Sequence, residues 1–116
     1  MTITLNTKAY EQDASIDANA IQYVGPANTI STNDKLVMKR ALTGANADGV
    51  KYARATVRFV RTITVDSKQV QATGEAVISV PVGSAKADVD SIRDDLGDLL
   101  TSAVGDNLVW KQDITA

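Results

Sequence analysis

Cysteine and histidine are both absent from this chain of 116 residues. Without cysteine there is no disulfide, thiolate metal ligand or thiol nucleophile, and without histidine the usual general base and zinc ligand are missing too. The lack of cysteine is compatible with a reducing cytosol but does not establish one. No apolar stretch approaches the roughly 20 residues needed to cross a bilayer, so no membrane partner is expected. The opening MTITLNTKAYEQD has neither a basic start nor an apolar run and does not read as a signal peptide. Repeats, low-complexity linkers, a Gly-rich phosphate loop and a nucleophile elbow are missing as well. Isolated carboxylates do not make an acid and base pair. An enzyme is therefore not expected, nor a cofactor or a small-molecule substrate.

What is present is one domain's worth of chain, residues 1–116, long enough to bury roughly two thirds of its unfolded surface. Its net charge of −2 conceals a segregation. Between positions 35 and 68 stand Lys35, Lys39, Arg40, Lys51, Arg54, Arg58, Arg61 and Lys68 against only Asp48 and Asp66, a local charge of +6. Residues 1–34 carry −3 and residues 69–116 carry −5. A basic patch flanked by acidic segments points to a polyanionic partner, above all nucleic acid.

β signals fill the chain to about residue 83 and a helical signal follows, an order that argues for an α+β fold. Residues 2–5 and 20–24 read as short strands, the second ended by Gly25-Pro26. Residues 36–42 place Leu36, Met38 and Leu42 on one face and Val37, Lys39 and Ala41 on the other with Lys35, while Arg40 falls on the apolar side. The segment TGANADG from Thr43 supplies Gly44, Asn46, Asp48 and Gly49 as positive-φ positions of a hairpin loop. Residues 52–65 form one long strand. Its odd positions are core, and its even positions put Arg54 and Arg58 on one surface with Thr56 between them and Tyr52 at the end of the row. Arg61 breaks the odd face and marks a rim or a subunit contact. A polar turn, 66–69, leads to a strand over 70–82 with Ala76, Ile78, Val80 and Val82 on one face, closed by Gly83.

Ser84 reads as an N-cap, and Asp88 and Asp90 favour the positive end of the helix dipole. Val89, Ile92, Leu96, Leu99, Leu100 and Ala103 then recur at spacings of three and four, one apolar stripe. Gly97 costs up to about 1 kcal/mol against alanine and invites close approach by another group. Gly105 reads as the helix stop. The remainder, with Trp110, is either a short helix or extended. The acidic run from Asp88 to Asp95 does not read as a calcium loop, because Arg93 stands where such a loop needs glycine. No metal is expected.

Two basic-faced strands (35–42, 52–65) joined by a Gly/Asn loop, a strand ending in ISVPV (78–82), and an acidic amphipathic helix opening SAKA and running to Leu99-Leu100 together resemble the coat proteins of single-stranded RNA bacteriophages, the levivirus-like family. The resemblance covers most of the chain beyond about residue 30. It implies an N-terminal β-hairpin, an antiparallel meander sheet of about five strands (to about residue 83) and one or two C-terminal helices (about 84–116), completed by dimerisation. It also implies that dimers build a T=3 icosahedral shell with the sheet facing single-stranded RNA, in a virion assembled in the bacterial cytoplasm. The chain departs from the family in its short 66–69 connection, and in offering Glu75, Val77 and Ser79 where members that read an RNA hairpin place a Tyr and an Asn.

The residues suit such an assembly on their own terms. One sheet with one helix cannot cover Leu36, Met38, Val57, Phe59, Ile63, Ile78 and Val80, and long strands leave pairing edges open. Dimerisation through Val89, Ile92, Leu96, Leu99 and Leu100 answers both and merges two basic faces. On that face Lys35, Lys39, Arg54 and Arg58 are the expected phosphate contacts, with Tyr52 and Thr56 adding stacking or hydrogen bonds. Two other readings remain: a monomeric single-strand-binding β module, and a subunit of another assembly such as a tail or pilus. The first predicts salt-sensitive oligonucleotide binding without particles, the second polymers without nucleic acid.

Overall fold

A computed structural model describes residues 2–115. The chain divides into two compact units, one ending at Ser79 and one beginning at Val80. The first holds, but for the last two residues of β6, an antiparallel meander whose strands neighbour one another in chain order: β1 (Thr2–Leu5), β2 (Lys8–Asp17), β3 (Ala20–Val24), β4 (Asp34–Leu42), β5 (Tyr52–Val65) and β6 (Lys68–Pro81). The expected strands over 2–5, 20–24 and 52–65 have those same limits, and the expected N-terminal hairpin belongs to the same sheet, giving six strands in all.

Two hairpins turn on two residues each, Asn6-Thr7 (φ 48° and 66°) and Asp66-Ser67 (φ 50° and 65°). Positive φ at both central positions is the turn whose twist matches that of paired strands. The second is tighter than the 66–69 turn read from sequence, so β6 starts at Lys68 and stops at Pro81 rather than spanning 70–82. In the loop after β4 only Gly49 has positive φ, at 77°. Gly44, Asn46 and Asp48 do not take the conformation expected of them. Asn46 works through its side chain instead, accepting from the backbone N–H groups of Asp48 (2.9 Å) and Val50 (3.0 Å).

Register fixes the core. Tyr23 pairs with Leu36 and Leu36 with Phe59, while Ile21 pairs with Met38 and Met38 with Val57, so all share one face. Tyr10, Tyr23 and Leu36 are buried there, ringed by Ile3, Ile21, Val57 and Phe59. Across this core runs a polar clasp centred on Arg61. Its guanidinium donates to the Tyr10 hydroxyl, lies 3.4 Å from Asp34 Oδ1 and sits over the Phe59 ring at 5.6 Å. The hydrogen bond to Tyr10 is the main cause holding Arg61 above the usual arginine range; partial burial opposes it, and the charge of Asp34 helps. Arg61 thus ties β2, β4 and β5 of its own chain together, a role that the reading of it as a rim or subunit contact did not include. Gly25 is required beside it, since a Cβ there would lie 2.3 Å from Asp34 Oδ2.

The second unit holds α1 (Lys86–Thr101) and α2 (Ala103–Lys111). The cap of α1 is Ala85, with no side-chain bond, not Ser84. The Ser84 hydroxyl is committed to the Pro81 carbonyl at 2.6 Å, in the turn that closes the strand at Gly83 (φ 94°). Gly105 does not stop the first helix. It is buried inside α2, where a Cβ would meet the Leu99 carbonyl oxygen at 2.1 Å, so the residue lets α2 turn tightly against the end of α1. Ser102 makes the corner, its Oγ accepting from the Gly105 N–H at 3.2 Å. Ala103 consequently starts α2 instead of extending the α1 stripe.

Candidate nucleic-acid interface

The face of the sheet opposite the core is built by one register. Lys35 pairs with Val60, Val37 with Arg58, Lys39 with Thr56 and Ala41 with Arg54, and paired residues in an antiparallel ladder point to the same side. No cation stands directly opposite another. Arg58 is the diagonal neighbour of both Lys35 and Lys39, and Arg54 that of Lys39. Lys35, Arg58, Lys39 and Arg54 therefore form a zigzag in steps of roughly 7–8 Å, the diagonal spacing of adjacent strands. Thr56 lies inside the zigzag beside Lys39. Tyr52 follows Arg54 with the same parity at the start of β5, half-buried, its backbone clamped to Thr43 (Thr43 N to Tyr52 O, 2.9 Å; Tyr52 N to Thr43 Oγ1, 3.2 Å). All six residues expected to touch RNA are thus brought to one side of the sheet.

Charge pairing separates these cations from three others on the chain. Arg61, Lys86 and Arg93 each have a carboxylate partner. Among the described residues Lys35, Lys39, Arg54 and Arg58 have none, and Lys39, Arg54 and Arg58 are exposed. Unneutralised guanidinium and ammonium groups in a row give a sustained positive potential along β4 and β5.

The row ends in a shallow depression of about 220 Å³ lined by Asn19, Ala20, Lys39, Arg40, Arg54 and Thr56, among others. Arg40 is not among the residues expected from sequence to touch RNA, because parity puts it on the apolar side opposite Ala55. Its side chain bends to the β2–β3 turn, with Nε 3.3 Å from Asn19 Oδ1 and Nη2 3.4 Å from the Ala18 carbonyl. That anchoring adds a third cation to the depression, whose lining also includes the carboxylate of Asp17. The contact spans 21 residues of sequence, so no local pattern announces it.

On the core side a larger recess of about 640 Å³ is lined by Leu5, Lys8, Phe59, Arg61, Ile63 and Ala72, with others. Met38, Leu42 and Ile63 are exposed on that side. In the helical unit α1 has no buried residue, and Ile92, Leu99 and Leu100 are about half exposed while Val89 and Leu96 are intermediate. Among the described residues no three acidic side chains converge to hold a metal, and no helix is long and apolar enough to cross a membrane.

No family model matches the chain, and no curated protein matches it by sequence. Solved structures do match. The chain from the virus-like particle of Beihai levi-like virus 32 superposes with a TM-score of 0.82 at 13% identity, covering 96% of this chain and 91% of that one. Those from the particles of bacteriophage GQ-907 (TM-score 0.74, 20% identity, 97% and 88% covered) and Wenzhou levi-like virus 4 (0.70, 18%, 96% and 80%) agree. The chain has the levivirus-like coat fold. Meander sheet, N-terminal hairpin and two C-terminal helices all correspond to the architecture that the resemblance implied. The β5–β6 turn has two residues, and Glu75, Val77 and Ser79 lie on β6.

Proposed function

We propose that this chain is the structural coat protein of a levivirus-like RNA phage: it dimerises, closes into an icosahedral shell, T=3 by the resemblance, and holds single-stranded RNA on the Lys35–Arg58–Lys39–Arg54 row. The observation that carries the reading is the division of one sheet into two unlike faces. One presents unpaired cations; the other leaves apolar side chains exposed that a soluble monomer would cover.

Dimerisation supplies the cover. β1 is a four-residue edge, whereas β6 presents 14 residues at the other edge of the sheet. A long open edge is a template for pairing, and joining two β6 strands would remove it. The stripe Val89, Ile92, Leu96, Leu99 and Leu100 of one copy then has the partner's apolar sheet face, with its recess, to lie against. Gly97 fits the same arrangement, since a Cβ there meets nothing within 4 Å in its own chain. Two basic rows merge into one surface, and affinity for a phosphate backbone grows with the number of cations that displace counterions. Thr56 and Tyr52 add hydrogen bonding and stacking to an otherwise sequence-blind contact. The same dimer would place the shell in the virion, with synthesis and assembly in the host cytoplasm.

A monomeric nucleic-acid module would have the basic row but no use for a helix without a buried residue. Sedimentation and electron microscopy of the recombinant chain decide the matter. Closed shells over a dimeric subunit are expected; a stable monomer at micromolar concentration, or open fibres, would contradict the proposal.

A further inference from the structure

Ile30 is fully exposed, at 109% of its reference area, more than any other large apolar side chain described. It stands at the tip of the loop between β3 and β4, and that loop is held rather than slack. Its base is closed by the Gly25 N–H on the Asp34 carbonyl (2.7 Å) and by the reciprocal bonds of Asn33 and Thr62 (2.8 and 2.9 Å). Its tip is closed by the Thr29 N–H on the Thr32 carbonyl (2.9 Å), the Thr32 N–H on Thr29 Oγ1 (3.1 Å) and the Thr32 hydroxyl on the Ala27 carbonyl (3.0 Å). Buried Asp34 reaches in as well, its N–H on Asn28 Oδ1 at 3.1 Å and its Oδ2 accepting from the Ala27 N–H at 3.3 Å. The fold therefore spends many polar contacts to hold one apolar side chain in water, where it does nothing for its own chain. A preformed loop loses little conformational freedom when its tip is bound.

The partner must accept an apolar knob and tolerate its surroundings. Residues 24–33 carry no charge, although 22% of the chain is charged. Copies of one chain share the same charges, so a charge-free contact is one that copies can make with each other without repulsion. The loop also stands at the end of the ladder where Asp34 pairs with Arg61, the end from which the β5–β6 hairpin runs on past Thr62 with Ile63, Val65 and Val70 exposed. Both projections thus offer apolar tips at the same end of the sheet.

We infer that Ile30 is an anchor by which one subunit grips a neighbouring copy outside its own dimer, with loop 25–33 as the device that presents it. The inference rests on the shell reading above and adds a residue and a contact to it.

The test compares the parent chain with Ile30→Asp and Ile30→Leu. Because the side chain touches nothing in its own chain, both variants should keep the circular dichroism spectrum, thermal midpoint, dimer and RNA affinity of the parent. Ile30→Asp should raise the concentration needed for particle formation at least about tenfold, the effect of losing one buried aliphatic side chain per contact. Ile30→Leu should stay within about threefold of the parent. Unchanged assembly of Ile30→Asp overturns the anchor while leaving the shell reading intact, and loss of the dimer in that variant overturns it by placing Ile30 inside the dimer. A parent chain that forms no particles refutes the shell reading, and the anchor with it.

Discussion

Replacing Arg54 and Arg58 together by alanine perturbs the basic row and little else, since both are exposed and neither has an ion pair among the described residues. Four cations per copy give eight in a dimer, and each contact with single-stranded RNA contributes about −0.7 to the slope of log affinity against log salt. The parent dimer should therefore show a slope of about −5.6, and the double variant, with four cations left, about −2.8. Between 50 and 200 mM salt the parent loses roughly 2,000-fold in affinity and the variant roughly 50-fold. Fluorescence anisotropy with an unstructured RNA oligonucleotide, at protein concentrations below the assembly threshold, reads both slopes. Lys86→Ala is the control, because Lys86 is paired with Asp90 at 2.6 Å and lies on α1; its slope should match the parent's. A double variant with the parent's slope and an intact fold would place the RNA elsewhere and refute the argument from register.

Leu96→Asp puts a charge into the middle of the α1 stripe in each copy. The loss of two apolar side chains, about 2–3 kcal/mol each, raises the dimer dissociation constant by roughly three orders of magnitude or more, which sedimentation equilibrium measures directly. Arg61→Met leaves the carboxylate of Asp34, 2% exposed, without its counterion. Losing the partner of a buried charge costs about 3–5 kcal/mol, and the 45% exposure of Arg61 discounts that to roughly 2 kcal/mol. A lower urea midpoint at unchanged slope should report the loss, and adding Asp34→Asn should recover part of it.

Legibility followed the range of the interaction that shapes each element. β5 was readable because Tyr52 to Val65 alternates over 14 residues, long enough for period two to dominate. β2 was not: KAYEQDASID buries only Tyr10, and register shifts between Gln12 and Ala14 and between Ser15 and Asp17 break the alternation. Its existence depends on backbone pairing with β1 and β3. The basic row was legible within each strand, but its zigzag needed the register between β4 and β5, which sequence does not print. Arg61 looked like an error in the pattern because its partners, Tyr10 and Asp34, lie 51 and 27 positions away. Gly105 read as a helix stop, yet it lies in the first turn of α2 and ends neither helix. The chain turns at Ser102, and the glycine is needed three residues later for close approach to the Leu99 carbonyl.

The claim that most needs testing is that the two-faced sheet makes a shell around RNA. Particles from the expressing cell should be treated with nuclease, the nuclease removed, and the contents extracted and weighed against protein. Nuclease-resistant RNA recovered from intact shells, and lost when the shells are opened before digestion, is the predicted result. Particles that hold no protected RNA would contradict the account.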